Sequence, residues 1–95
     1  MKEMRKFSDI AQRLVWHRKL TGLTQLEYAT KAGLKRAQLN NWENGDYRIS
    51  VDGALALRET YGMPLDFIYL GDQNALPMAL RNALIEARSG GENGG

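Results

Sequence analysis

The sequence predicts a small all-α protein. Apolar residues recur every three or four positions, which is the spacing of one face of a helix. Serine, threonine or glycine stands at the ends of these segments, and no stretch shows the alternation of a strand. The 95 residues suffice for one hydrophobic core, so we expect five helices around it and an additional C-terminal helix.

The first helix is predicted over residues 8–20. Ile10 and Leu14 lie four positions apart and would share one face of the helix. Ser8 is the expected N-cap, because a serine side chain can accept a hydrogen bond from a free amide of the first turn. Gly22 is expected to end the helix.

The second helix has the most complete start signal in the chain. Thr24 as N-cap and Glu27 three residues later form a capping box, in which each side chain accepts a hydrogen bond from the other residue's amide. The helix is predicted to run to about Ala32. Gly33 then provides the permissive backbone for a tight turn.

The third and fourth helices are bounded in the same way. The third is predicted over residues 36–43 and stops at the pair Asn44-Gly45. Ser50 is the expected N-cap of the fourth helix, which ends at Gly62.

A short fifth helix and an amphipathic sixth helix are predicted to follow. Pro64 is suited to the first turn of a helix over residues 65–70, and Gly71 closes it. Over residues 77–88, leucine and alanine recur on one side of a helix.

We therefore expect residues 1–71 to form the main domain and residues 72–88 a helical extension. Residues 89–95, SGGENGG, are expected to be a disordered tail, because they offer nothing to bury. The apolar stripe over residues 76–87 is the first candidate for a dimerisation surface, and the fifth helix is the second. The alternative is that the stripe packs against its own chain.

Composition limits the possible functions. There is no cysteine and one histidine, so we expect no disulfide, no metal site and no cofactor. No catalytic set can be assembled around His17, which we expect to be partly exposed and close to phosphate, so the protein is not expected to be an enzyme. No apolar run approaches the ~20 residues that span a bilayer, and no signal peptide is recognisable, so the expected location is the cytoplasm.

Charge is unevenly distributed along the chain. The net charge of +2 combines +5 in residues 1–48 with −3 in residues 49–95. This asymmetry indicates an anionic partner for the N-terminal half, although solvated helix faces would show a similar pattern.

Two short helices hinged at Gly33 are the most informative unit of the sequence. Small residues such as Ala29 allow such helices to approach closely. The fragments that stand at characteristic spacing are GLTQ at 22–25, YA at 28–29, AG at 32–33, WENG at 42–45 and YGMPLDFIYLG at 61–71. Over about residues 10–71, this pattern resembles the helix-turn-helix of the phage-repressor family, the Cro and C1 type of the XRE family.

The resemblance implies a λ-repressor-like domain whose third helix lies in the major groove of DNA. Its implied base-contacting residues are Arg36, Ala37, Gln38 and Asn41. Its implied contacts to the DNA backbone are Gln25, Lys35, Asn44, Tyr47 and Arg48.

The resemblance also assigns structural roles. It pairs Arg18 with Glu43, and it places Ala29 and Gly33 at the contact and the turn between the two helices. An ordinary surface pair, contributing ~0–1 kcal/mol, is the alternative for the two charged residues. The sequence departs from the family at Lys35, where serine or threonine usually caps the recognition helix.

The resulting hypothesis is a sequence-specific regulator of transcription that binds double-stranded DNA. We expect a repressor or autoregulator acting as a homodimer on a palindromic site. The alternative is a protein-binding module of the same fold, such as an antitoxin that neutralises a toxin through its C-terminal segment.

Overall fold

The computed structural model describes residues 6–93, and side chains through residue 88. This part of the chain is helical and contains no strand. Its helices are α1 (Ser8–Thr21), α2 (Gln25–Lys31), α3 (Arg36–Glu43), α4 (Val51–Tyr61), α5 (Leu65–Leu70) and α6 (Met78–Asn93), with a 3-10 turn at Gln73–Ala75. The predicted fold class is therefore confirmed. None of the described helices is long and apolar enough to cross a membrane.

The predicted start and turn of α2 are confirmed. The Thr24 hydroxyl accepts from the Glu27 amide at 3.1 Å, and a Glu27 carboxylate oxygen accepts from the Thr24 amide at 2.9 Å. Gly33 has a φ of 74°, a left-handed conformation that glycine adopts without strain. The Leu34 amide then donates to the Ala29 carbonyl at 2.8 Å, which closes the turn between α2 and α3.

The start of α1 differs from the prediction. Ser8 lies inside the first turn, and Phe7 occupies the N-cap position without a side-chain hydrogen bond. The Phe7 amide instead donates to the carbonyl of Gly45 at 3.2 Å. A tertiary contact with Gly45, just after α3, thus holds the residue that precedes α1, and no side-chain cap is formed there.

The core lies where α1 to α5 meet, and Leu84 of α6 packs into it. Its buried side chains are Ile10, Leu14, Tyr28, Ala29, Leu39, Trp42, Ile49, Ala54, Leu57, Met63, Phe67, Ile68, Leu76 and Leu84. Gly53, near the start of α4, faces the Trp42 indole so closely that a Cβ there would overlap the ring. The absence of a side chain at Gly53 therefore allows α4 to approach α3.

The structure of α6 differs from two expectations. It continues to Asn93, so residues 89–93 are helical although the sequence indicated a disordered tail from 89. Glycine lowers helix propensity by about 1 kcal/mol per residue relative to alanine but, unlike proline, does not block a helix sterically. Residues 94 and 95 lie outside the described part.

The apolar stripe predicted over residues 76–87 packs in part against its own chain. Leu76 and Leu84 are buried in the core, and Leu80 packs against it while remaining partly exposed. These side chains are not available to a second copy, so the first candidate for the dimer surface is wrong where it rests on them. Amphipathic spacing shows that a helix has an apolar face, but not which chain covers that face.

Candidate functional site

α3 has one buried side and one exposed side. Leu39 and Trp42 are buried, because they lie about one turn apart and face α1, α2 and α4. The predicted base-contacting residues Arg36, Ala37, Gln38 and Asn41 are all exposed. At about 100° per residue, Ala37 and Asn41 lie opposite the buried pair, with Arg36 and Gln38 towards the two edges. The helix therefore presents polar side chains on the side that it does not bury.

Glu43 anchors the end of α3. Its carboxylate accepts two hydrogen bonds from the guanidinium of Arg18, one from Nε at 2.8 Å and one from an Nη at 3.1 Å. The Glu43 side chain is 4% exposed, and that of Arg18 is 18% exposed. The hydrogen bond to Glu43 raises the pKa of Arg18. This geometry is the pairing that the resemblance implied, and it is too buried for an ordinary surface pair.

The same carboxylate also holds Gln25 at the start of α2. The Gln25 amide nitrogen donates to Glu43 at 2.9 Å, and the other Nη of Arg18 donates to the Leu23 carbonyl at 3.1 Å. The start of α2 is thereby fixed relative to the end of α3. The role of Gln25 in binding phosphate remains a prediction. One of the two hydrogens on its amide nitrogen is already bonded to Glu43.

The start of α3 has a cap that the sequence analysis missed. Lys35 occupies the N-cap position, and its amide donates to the side-chain carbonyl oxygen of Gln38 at 3.0 Å. This is one half of a capping box, since a lysine side chain cannot accept the reciprocal hydrogen bond. The spacing of three residues between Lys35 and Gln38 was a visible signal. The lysine obscures this signal, because serine or threonine is the usual residue at an N-cap.

Several polar residues lie at the C-terminal end of α3 and in the loop that follows it, which form one flank of the helix. Asn44 is the C-cap of the helix and is exposed, and Tyr47 in the following loop is 61% exposed. The guanidinium of Arg48 lies 5.1 Å from the centroid of the Phe7 ring. These three residues and Lys35 are exposed, and their contact with a DNA backbone remains a prediction.

Phe7 and Lys6 are additional residues on this flank that the sequence analysis did not single out. The Lys6 ammonium lies 5.8 Å from the centroid of the same ring. A cation over an exposed aromatic face contributes about 0.5–1 kcal/mol. Phe7 and Arg48 are far apart in the sequence, so no local pattern could have revealed their contact.

His17 is not the exposed residue that the sequence suggested. It is 3% exposed, and its Nδ1 lies 2.7 Å from the hydroxyl oxygen of Tyr28, within hydrogen-bonding distance. The rings of Tyr28 and Tyr61 stack at 4.3 Å, and the Tyr61 hydroxyl donates to the Tyr28 carbonyl at 2.8 Å. Burial lowers the pKa of His17 to about 4 and raises the pKa of Tyr28. The placement of His17 near phosphate was therefore wrong, and it joins α1 to α2 inside the core.

Among the residues described by the structure, no group of histidine, cysteine, aspartate or glutamate side chains could hold a metal ion. His17 itself is enclosed by the aromatic rings of Trp16, Tyr28 and Tyr61.

Comparison with known protein families matches residues 15–68 to the family model HTH_3, described as helix-turn-helix. This range covers more than half of the chain and contains all of α2, α3 and α4. No curated protein and no solved structure matches the chain.

Proposed function

Because the chain belongs to the Cro/C1-type helix-turn-helix family, the XRE family, and is a DNA-binding regulator of that type, we propose that it represses transcription from a palindromic site. The expected activity is binding and not catalysis. The observation that carries the proposal is the exposed polar side of α3, held rigidly by Leu39, Trp42 and Glu43 beneath it.

The exposed side chains of α3 have the chemistry for reading bases. Arg36 can donate two hydrogen bonds to O6 and N7 of guanine, and Asn41 can pair with N6 and N7 of adenine. Ala37 can contact a thymine methyl group. Each good bidentate pair contributes ~1–3 kcal/mol of discrimination against a wrong base. We therefore assign most of the sequence preference to Arg36 and Asn41.

The flanking residues would bind phosphate and set the orientation of α3. Gln25 and Lys35 lie on one flank, and Asn44, Tyr47 and Arg48 lie on the other. Contacts of this kind contribute affinity that falls with salt but carry no direct sequence information.

The protein is proposed to act as a dimer, because one unit of this size covers only one half-site. Half-sites would then lie about one helical turn of DNA apart. Because Leu76 and Leu84 are buried in the core, α5 becomes the candidate interface. Leu70 at its end is 76% exposed.

Selection from a random duplex library tests the proposal. We expect the wild-type protein to enrich one palindromic sequence, and Arg36→Ala and Asn41→Ala to lose the preference while keeping the helical circular dichroism spectrum. Arg81→Ala and Asn82→Ala are matched controls, because both residues are exposed on α6. If the two α3 variants enrich the same sequence as the wild type, the assignment of base contacts is wrong.

A protein-binding module such as an antitoxin is the second candidate. Met78 and Ile85 on α6 are 76% and 48% exposed, and they form no part of the core. A protein partner that co-purifies in a fixed ratio and is lost on Met78→Lys with Ile85→Lys would favour this function. Deleting residues 72–95 would be a poorer test, because it would remove Leu76 and Leu84 from the core.

A further inference from the structure

We propose that Lys6, Phe7 and Arg48 form a phosphate clamp, in which the uncharged Phe7 ring positions two cations against the DNA backbone. The proposal rests on the function proposed above and adds Lys6 and Phe7 to the backbone contact already proposed for Arg48. The Lys6 ammonium lies 5.8 Å from the Phe7 ring centroid, and the Arg48 guanidinium lies 5.1 Å from it. One ring thus gathers two cations from distant parts of the chain.

The clamp is fixed to the end of the recognition helix. The Phe7 amide donates to the carbonyl of Gly45 at 3.2 Å, and Gly45 directly follows Asn44, the C-cap of α3. Arg48 belongs to the loop that leaves α3, so both cations lie beside the same helix end. A duplex with α3 in its major groove would bring a backbone strand to this flank.

The charges of the clamp are available to an anion. Lys6 and Arg48 are both exposed, and within the described part of the chain neither forms an ion pair with a carboxylate. An aromatic face attracts a cation without using its N–H groups as hydrogen-bond donors. The planar guanidinium of Arg48 can therefore still present its donors to phosphate oxygens, and Lys6 adds a point charge.

Two cations near one ring raise the positive potential around it, and phosphate bound there would lower that potential. The position of the clamp favours the backbone of double-stranded DNA as that anion. Phe7 is then a positioning residue, which acts on DNA through the two cations it holds.

The salt dependence of DNA binding gives a test that a purely structural role would not pass. Each phosphate contact contributes about 0.9 to the slope of log K against log salt concentration, so losing both contacts would lower the slope by about 1.8. Phe7→Leu changes no charge, yet we expect it to lower the slope. Between about 50 and 200 mM salt, the ratio of wild-type to variant affinity would then shrink roughly tenfold.

The measurement uses the full chain, the duplex obtained by selection, and a scrambled duplex of the same length. Phe7→Leu should weaken binding to both duplexes by the same factor, because phosphate contacts do not read sequence. Lys6→Ala and Arg48→Ala should each lower the slope by about 0.9 in the wild type and by much less in Phe7→Leu. Phe7→Tyr keeps the ring and should retain the wild-type slope, as should Arg81→Ala on α6.

A folded Phe7→Leu variant with the wild-type slope overturns the clamp. If Phe7→Leu does not fold, Lys6→Ala and Arg48→Ala provide the test instead. A wild-type salt slope in both of these variants overturns the clamp. A wild-type protein whose duplex binding does not vary with salt overturns the proposed function and the clamp with it. A steep wild-type slope that Phe7→Leu leaves unchanged overturns the clamp alone.

Discussion

Acidification should destabilise this protein through His17, well above the pH at which carboxylates titrate. The pKa of His17 is lowered from 6.5 to about 4 by burial, so the folded protein holds the imidazole neutral while the unfolded chain protonates it near pH 6.5. Between these values the unfolded state binds more protons, and the free energy of unfolding falls as the pH falls. Stability is therefore highest above about pH 6.5 and declines towards pH 4.

The magnitude follows from the two pKa values. A shift of this size corresponds to about 3 kcal/mol once the pH lies below both values, and about 2 kcal/mol is lost between pH 7.5 and pH 5. Such a loss is a large fraction of the about 5–15 kcal/mol free energy of unfolding that is typical of native proteins. Protonation would place a charge among Trp16, Tyr28 and Tyr61, where no carboxylate contacts the ring in the described structure.

Urea unfolding followed by circular dichroism between about pH 7.5 and pH 5 measures this loss. The matched variant is His17→Gln, which keeps a polar side chain near the Tyr28 hydroxyl but does not titrate. We expect it to be less stable than the wild type at pH 7.5 and nearly independent of pH in this range. If wild type and variant lose the same free energy of unfolding on acidification, His17 is not the titrating group and the reasoning from its burial is refuted.

Two further predictions concern the anchoring of α3. Arg18→Ala leaves the Glu43 carboxylate buried without its cation and should lower the free energy of unfolding in urea by about 3–5 kcal/mol. The double variant Arg18→Ala with Glu43→Gln should recover part of that loss. Equal stabilities of the single and double variants would count against an unpaired buried charge as the cause. Gly53→Ala forces a Cβ against the Trp42 indole and should cost about 1–3 kcal/mol by the same assay. A second variant with Trp42→Phe should tolerate Gly53→Ala better, and an unchanged penalty there would place the strain elsewhere.

Signals between residues close in the sequence predicted most of the fold. The Thr24–Glu27 box and the Ser50 cap lie within three or four residues of the groups they bond, so their spacing alone predicted where α2 and α4 begin. The ends at Gly22 and Gly62 were equally readable, because a left-handed residue after a helix favours glycine.

The missed features depend on contacts between distant residues. The burial of His17 depends on Tyr28 in another helix, and the start of α1 depends on the carbonyl of Gly45 at the end of α3. A histidine beside a tryptophan reads equally well as exposed or buried when only its own helix is considered. For the candidate site, exposure of the α3 side chains followed from helical spacing, whereas the Phe7 contacts required the folded chain.

The cap at the start of α3 limits what Gln38 can do on DNA. Its side-chain carbonyl oxygen accepts from the Lys35 amide, and the bidentate pairing with adenine needs that same oxygen to accept from N6. The cap turns the Gln38 side chain back towards the start of α3, so reorienting it onto adenine would break a hydrogen bond that contributes about 1 kcal/mol, against ~1–3 kcal/mol of discrimination gained. The amide nitrogen can still donate to phosphate or to a base without disturbing the cap. Arg36 and Asn41 form no such bond in the described contacts, so we expect them to provide most of the discrimination between bases. Lys35 contributes to this indirectly, because its side chain cannot cap α3 and the Gln38 side chain does so instead.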